Sequence, residues 1–400
     1  MHSSRATWIF RLVMVFLGLL LLAESGMAAH IGTQSLVPKS RTRRLTENRH
    51  ARKRMRQLAH SRGSANRHAR GRHSRYHERF YTSSFAQDLT DGDVTTGEDP
   101  VVRQAAIAAL GNMNGTVVAI DPLSGRILTM VNQRLALSSG AQPCSTIKLS
   151  VALAALSEGV VTKDTQVRIG RRSEINLTQA LAHSNNAYFE ELGRRLGFEK
   201  VSYYAHQYGL GELAGRKIPG ERLGAYPTAA IPLSQGGVGK MCSFGEGISM
   251  TPLQLGALVS AISNGGTLFY LQHPTTPEAI ASFQPIVKRR LDIGQEIPQI
   301  VDGMAAAVTY GTARRLGINF SEESILGKTG TCSHAGTRFG WFASYANTKA
   351  GRIVTVVFLQ GGRPTFGPKA AEVSGRFYRS LYDHNFFAAN GTPASPVSAP

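Results

Sequence analysis

Ser145 and Lys148 stand three residues apart, just behind Pro143 and at the head of an apolar run that includes Leu149, Val151, Leu153, Ala154 and Leu156. The run has helical length, and a proline suits the first turn of a helix, so Ser145 is expected at a helix N-terminus. Residues three apart on a helix share a face, which brings the Lys148 amine within reach of the Ser145 hydroxyl. A serine hydroxyl attacks only when something takes its proton, and a lysine can take it where burial or a neighbouring cation lowers its pKa. The free N–H groups at the helix start favour negative charge developing beside the serine. The pair therefore reads as a nucleophile with its own base.

Two further segments offer matching chemistry. The stretch 175–196 has helical spacing in Leu, Ala and Phe but carries His183-Ser184-Asn185-Asn186 in its middle. If the helix starts or breaks there, Ser184 supplies a proton relay and Asn186 an amide that reads a peptide group; read alone, the same residues also suit a helix cap. Ser64 to Asn66 repeats the Ser-x-Asn pattern in an unrelated basic stretch, so the pattern by itself says little. The third segment, Ile325-Leu-Gly-Lys-Thr-Gly-Thr331, is too short and glycine-rich for a helix. It reads as a strand edge against which another backbone lies closely, as in strand addition, or alone as a turn with an exposed lysine. As a strand edge it provides a fixed cation at Lys328 and a hydroxyl at Thr331 for a carboxylate.

The elements that must position these residues follow from periodicity. Pro100 to Leu110 is expected to be a helix, and Gly115–Asp121 with Arg126–Val131 a β-hairpin around the turn Pro122–Gly125. The glycine- and proline-rich stretch from Tyr208 to Gly247 is long enough to rim a site. Helices are expected from Thr251 to Ser263 and from Glu296 to Arg315, with no regular pattern over 267–295. Strands follow at Phe339–Ala346 and Ile353–Gln360, the latter apolar enough to be central, and an amphipathic helix at Lys369–Asp383 closes the domain. Five strands joined mostly by short turns, with helices before, between and after, predict an α+β fold: a five-stranded antiparallel sheet flanked by helices.

Length and charge bound the rest. A chain of 400 residues that is 42% hydrophobic can bury a sizeable core. The net charge of +19 is not spread evenly: Lys39 to Arg79 holds fifteen Lys/Arg against Glu47 and Glu78, which is thirteen of the nineteen charges. Such a segment cannot bury enough apolar surface to fold alone, and residues 30–98 read as a basic disordered tether. The tether serves either as a solvated spacer or as a grip on an anionic wall polymer or lipid headgroup through 39–79. Ahead of it, Arg5 and Arg11 precede an uncharged run from Leu12 to Ala23 and small residues near Met27-Ala28-Ala29. Residues 1–29 are expected to be an export signal, cleaved or kept as an anchor over 8–25. An exported tether does not meet chromosomal DNA, so no nucleic-acid partner is expected. The globular domain is expected over 99–387, with a disordered tail at 388–400.

Ser145 to Lys148 is the only Ser-x-x-Lys in the chain and Lys328 to Gly330 the only Lys-Thr-Gly, in order, with Ser184 and Asn186 between them. The Ser-x-x-Lys, Ser-x-Asn, Lys-Thr-Gly set resembles that of penicillin-binding proteins and β-lactamases. From about Asp99 to Asp383 the chain resembles the transpeptidase domain of penicillin-binding proteins, including Ser243–Gly247, Thr251–Leu255, Gly311-Thr312-Ala313 and Gly340-Trp341-Phe342. The resemblance implies a β-lactamase/transpeptidase-like fold with an all-helical subdomain. It implies that Ser145 is acylated, Lys148 is its base, Ser184 shuttles a proton to the leaving amine and Asn186 holds the substrate amide. Lys328 would tune the site, Thr329, Gly330 and Thr331 would bind the terminal carboxylate and backbone, and the N–H groups of Ser145 and Thr331 would form the oxyanion hole. The implied reaction acylates Ser145 with a D-Ala-D-Ala stem peptide and passes the acyl group to an amine of a second strand. Transfer to water would make the chain a carboxypeptidase, and fast deacylation a serine β-lactamase, though no residue is assignable as a deacylating base. A non-catalytic penicillin- or wall-binding module is the remaining alternative. Penicillin should acylate the same serine, and no metal or organic cofactor is implied.

The sequence departs from that family in carrying neither a glycosyltransferase segment nor a pedestal domain ahead of the transpeptidase. It also places Cys144 before the nucleophile, Cys332 after the Lys-Thr-Gly-Thr strand and Cys242 beside Ser243. An odd number of cysteines leaves at least one unpaired. They read either as small buried residues without chemical role or as a disulfide, Cys242 with Cys332 being the expected pair.

Overall fold

A computed structural model describes residues 79–348 and 351–389. The export segment, the basic stretch as far as residue 78 and residues 390–400 lie outside the described residues. The chain runs α1 (Pro100–Leu110), β1 (Gly115–Ile120), β2 (Ile127–Val131), α2 (Gln133–Ala136), and a 3-10 turn, Cys144–Ile147, that leads into α3 (Lys148–Ser157). Next come β3 (Val167–Arg168), β4 (Glu174–Ile175), α4 (Leu177–Ala182), α5 (Asn186–Gln207), α6 (Gly237–Phe244) and α7 (Pro252–Ser263). Then follow β5 (Thr267–Phe269), α8 (Pro277–Ala281), β6 (Val287–Arg290), α9 (Ile297–Thr309), β7 (Ile325–His334), β8 (Thr337–Thr348), β9 (Gly351–Gly361), α10 (Gly367–Asp383) and α11 (Phe386–Ala389).

The main sheet has the order β2-β1-β9-β8-β7, with every neighbouring pair antiparallel. It is the five-stranded antiparallel sheet of an α+β fold that the periodicity predicts. β9 is central because its run from Ile353 to Leu359 is apolar but for Thr355, and both faces are covered. β7, the strand carrying Lys328, lies at the open edge. Alternation along β1 divides the core in two: Val117 and Ala119 face α1 and α10, while Val118 and Ile120 face the layer that contains α3, α5 and α7. α1 forms where expected, for local reasons. The Asp99 carboxylate accepts from the N–H groups of Val101 and Val102 at 2.9 and 3.0 Å, Pro100 occupies the first turn, and Gly111 at φ 57° ends the helix.

In the stretch 175–196 the helix does break at the polar residues: α4 stops at Ala182, Ser184 takes a left-handed φ of 55°, and α5 restarts with Asn185 accepting from Tyr188 N–H at 2.9 Å. Other expectations about the elements are corrected. The helix expected to reach Arg315 ends at Thr309. There Gly311 passes so close to the Ala182 carbonyl that a Cβ would sit 2.2 Å from its oxygen, and the Thr312 N–H donates to that carbonyl at 3.0 Å. Residues 267–295, expected to lack pattern, hold the two-stranded antiparallel sheet of β5 and β6, whose three- and four-residue strands are too short to show a period. Residues 80–98, counted with the tether, pack on the domain. Ala86 N–H donates to Asn112 O, Tyr81 N–H to Gly336 O, and Asp93 and Glu98 pair with Arg103 at 3.0 and 2.8 Å. Apart from the Arg103 pairs, which span five and ten residues, these contacts are long-range, and none leaves a periodic trace in the sequence.

Candidate active site

The nucleophile segment is a 3-10 turn rather than the first turn of an α-helix, and it is pinned on three sides. Trp341 Nε1 donates to the Gln142 carbonyl at 3.0 Å, and Trp341 itself stacks on Phe358 with ring centroids 3.9 Å apart. Gly245, which ends α6, lies against Pro143, where a Cβ would fall 2.3 Å from the proline ring. From the sheet side, Gly330 of β7 abuts the turn: a Cβ there would meet the Pro143 carbonyl oxygen at 2.8 Å and the Cys144 Cβ at 3.3 Å. A glycine at 330 is what lets the open edge of the sheet lie on the turn that presents Ser145.

Ser145 is 8% exposed, and Lys148 and Lys328 are fully buried. Lys148 Nζ lies 2.8 Å from Ser145 Oγ, 3.1 Å from Ser184 Oγ, 2.8 Å from the Ser184 carbonyl and 2.6 Å from Asn186 Oδ1. Lys328 Nζ donates to Ser184 Oγ at 2.8 Å and to its neighbour's carbonyl, Thr329 O, at 2.9 Å. The break between α4 and α5 makes this possible. The left-handed turn at Ser184 aims both its hydroxyl and its carbonyl at the two amines, and starting α5 at Asn186 aims the amide at Lys148.

Neither amine is an ordinary lysine. Burial pushes the Lys148 ammonium far below its usual pKa, and the Lys328 charge pushes it further, against a small opposing pull from Glu190. Burial alone lowers Lys328 to about 7. The Phe189 ring centroid lies 5.5 Å from Lys148 Nζ, and both side chains are fully buried. The lowered pKa favours the neutral form of Lys148, the form that can accept a proton from the hydroxyl it touches, which is the physical requirement for serine nucleophilicity.

Of the residues the sequence singles out, Ser145, Lys148, Ser184, Asn186 and Lys328 form one hydrogen-bonded cluster. Thr329 and Thr331 lie beside it with their hydroxyls already engaged: Thr329 Oγ1 is 2.6 Å from Thr312 Oγ1, and Thr331 Oγ1 accepts from Gly367 N–H at 2.7 Å. Thr312 is the site residue to which sequence reasoning gave no role. Its signal is a Gly-Thr-Ala at a helix end, with the glycine seated on Ala182 and so fixing the threonine next to β7. His183 and Tyr310 form an exposed aromatic rim, ring centroids 5.7 Å apart, over the same break in the helix.

The cysteine pairing is a correction. Cys144 is bonded to Cys332, not Cys242 to Cys332; Cys242 is free and buried, packed against Gly193, and burial pushes its thiol up to about 12. Cys332 shares with Lys328 and Gly330 the face of β7 that meets the nucleophile turn. The bond joins the residue before Ser145 to the residue after Thr331. Among the described residues no cluster of His, Cys, Asp or Glu is placed to hold a metal ion.

Comparison with known proteins covers most of this domain. Residues 115–383 match the family model of the penicillin binding protein transpeptidase domain. Stage V sporulation protein D of Bacillus subtilis is 30% identical over 54% of this chain, which spans only 39% of that protein. Peptidoglycan D,D-transpeptidase PbpA of Mycolicibacterium smegmatis is 24% identical over 69% of each chain, and peptidoglycan D,D-transpeptidase FtsI of Escherichia coli K12 is 25% identical over 56% of this chain and 40% of its own. Among solved structures, Pseudomonas aeruginosa PBP2 superposes with a TM-score of 0.61 at 22% identity, covering 76% of this chain and 78% of that one. The D,D-transpeptidase domain of an Eggerthella lenta peptidoglycan glycosyltransferase gives 0.57 at 20%, covering 72% and 82%. The structural matches carry the fold.

Proposed function

The chain belongs to the penicillin-binding protein transpeptidase family, and from that membership we propose that it is a peptidoglycan D,D-transpeptidase working through an ester on Ser145. The observation that carries the reading is the contact of one depressed lysine, Lys148, with Ser145, Ser184 and Asn186 at once. Neutral Lys148 takes the Ser145 proton as the oxygen bonds to the penultimate carbonyl of a D-Ala-D-Ala stem peptide. The oxyanion is held by the N–H groups of Ser145 and Thr331, from the two segments that Gly330 brings into contact. Ser184, bridged between Lys148 and Lys328, passes a proton to the leaving D-alanine. Asn186 holds the substrate amide, and Thr329 and Thr331 bind its terminal carboxylate while Gly330 leaves the strand edge open to its backbone. The acyl group then moves to an amine of a second strand, and a β-lactam acylates the same serine.

The wider setting follows from the sequence. Residues 1–29 direct export, and the Cys144–Cys332 bond fits an oxidising compartment. The basic stretch 39–79, which as far as residue 78 lies outside the described residues, grips an anionic wall polymer or headgroup. The test of the reading is labelling with a fluorescent penicillin, wild type beside Ser145→Ala. One label per chain, lost in the variant, is the expected result; a label that survives the substitution removes Ser145 from its role.

A further inference from the structure

Thr331, the hydroxyl assigned above to the terminal carboxylate, is oriented from outside β7. Its Oγ1 accepts from the N–H of Gly367, the first residue of α10, at 2.7 Å. A hydroxyl that accepts from a fixed N–H keeps its own proton to donate, which is what a carboxylate partner needs. Gly367 is in turn placed by the loop between β9 and α10, which lies directly on β7 and β8. A Cβ at Gly367 would fall 2.7 Å from Gly330 O and 2.9 Å from Thr329 Cβ, and one at Gly340 would fall 2.7 Å from the Phe366 carbonyl.

The loop is tied at its other end to a residue far away in the sequence. Thr365, fully buried, donates through Oγ1 to Ser84 Oγ at 2.9 Å, and the same oxygen accepts from Gly362 N–H at 2.7 Å. Ser84 is itself buried and held by backbone: its carbonyl accepts from Asn114 N–H at 2.9 Å, just ahead of β1, and a Cβ at Gly361 would sit 2.4 Å from its Cα. Two residues earlier, Thr82 Oγ1 lies 2.6 Å from Thr337 Oγ1 at the start of β8. One serine oxygen thus serves two donors of the loop that aims Thr331.

We propose that Ser84 and Thr365 are positioning residues for carboxylate recognition: Ser84 anchors the β9–α10 loop through Thr365, and the anchored loop holds Gly367 N–H where it aims the Thr331 hydroxyl. The inference rests on the reading of Thr331 as the carboxylate's partner and adds two residues from outside the motifs. Neither touches the ligand. Both act by locking the direction of a group that does.

The test uses the full chain and compares benzylpenicillin with its methyl ester, reading by intact mass the second-order rate at which each acylates Ser145. Both ligands meet the same folded fraction, so the acid-to-ester ratio does not change when a variant is less stable. In the wild type the acid reacts faster, and Thr331→Val lowers the ratio. Ser84→Ala and Thr365→Val each lower it about tenfold, the low end for one hydrogen bond to a charged group. Thr365→Ser, which keeps the hydroxyl, retains the wild-type ratio. Added to Thr331→Val, neither Ser84→Ala nor Thr365→Val lowers the ratio further, because the hydroxyl they aim is gone. A wild-type ratio in Ser84→Ala and Thr365→Val, or an equal fall in the Thr331→Val background, overturns the proposal and leaves the tie a packing contact. Failure of the underlying reading looks different: the wild type takes acid and ester at one rate, Thr331→Val keeps the wild-type ratio, or no penicillin is found on Ser145, and the inference falls with it.

Discussion

Lys148 and Lys328 share one hydroxyl: Ser184 Oγ lies 3.1 Å from the first amine and 2.8 Å from the second. Two ammonium groups this close in a buried site repel each other, and burial already disfavours either charge, so at neutral pH at least one is neutral. Burial and the Lys328 charge both lower Lys148, burial lowers Lys328 to about 7, and only Lys148 also touches Ser145 Oγ, at 2.8 Å, so it is the amine placed to act as base.

The first prediction concerns acylation. An arginine at 148 retains a positive charge at any pH that leaves the protein folded and cannot accept a proton. Lys148→Arg is expected to slow penicillin acylation by about 10²- to 10⁴-fold, the range for loss of a general base. In the wild type the rate should fall once the pH is low enough to charge Lys148, whose pKa burial and the Lys328 charge hold well below that of an ordinary lysine. Second-order labelling rates from pH 5 to 8 measure both effects. An arginine variant within tenfold of wild type would remove Lys148 from the role of base.

The same burial makes Lys328 a cost to stability. Its pKa is about 7 when folded against 10.5 for an ordinary lysine. Between those values the unfolded chain holds a proton that the native state has released, so stability rises with pH across the window and levels off above it. Below about 7 the native state carries the buried charge and the full penalty applies. Lys328→Met, which keeps the volume and drops the charge, is expected to stabilise the domain by up to about 4 kcal/mol at pH 7, while acylation is lost. Urea midpoints at pH 6 and pH 10 check the sign: the gain must shrink towards the higher pH, and a gain independent of pH contradicts the assignment.

Much of this arrangement is legible in the sequence, because the three motifs are short, ordered and set in contrasting surroundings. Ser145 heads an apolar run, Ser184 and Asn186 interrupt one, and Lys328 sits between glycines. What is not legible is whatever depends on contacts across the fold. Three cysteines allow three pairings, and the choice of Cys144 with Cys332 is made by Gly330 drawing β7 onto the turn, which spacing does not show. The polar residues at 183–186 allow a break in the helical periodicity, but the left-handed turn at Ser184 that aims its hydroxyl and carbonyl does not show in the spacing. Residues 80–98 look like a continuation of the tether, since their contacts with Asn112, Asn132 and the β7–β8 turn are non-local.

The disulfide is predicted to stiffen the site as well as the chain. Its partners are 188 residues apart, and closing so long a loop in the unfolded state is worth about 5 kcal/mol in the chain-entropy model. Cys332→Ser should therefore lower the melting temperature, and reduction of the wild type should lower it to the same degree. Alkylation of the unreduced, unfolded protein is expected to modify Cys242 alone; modification of all three thiols would mean the bond is not formed.

Gly330 offers the sharpest separation of stability from function. A methyl group there meets the Pro143 carbonyl oxygen at 2.8 Å and Thr146 Cγ2 at 3.2 Å, both on the turn that carries Ser145. Backbone cannot rotate aside as a flexible side chain does, so relief comes only by moving β7 away from the turn. Gly330→Ala is expected to cost about 1–3 kcal/mol, the usual range for overpacking. A shift of a few tenths of an ångström also parts the Ser145 and Thr331 amides proposed to converge on one oxyanion, and oxyanion donors are sensitive to displacement. Acylation should therefore fall about 10²-fold or more while the protein remains folded at 25 °C. Lys148 and Ser145 stand on the same turn and move together, so the loss should appear as a lower rate at every pH with the profile unshifted. A variant that acylates at the wild-type rate would show that the close approach of β7 to the turn serves packing and not the chemistry.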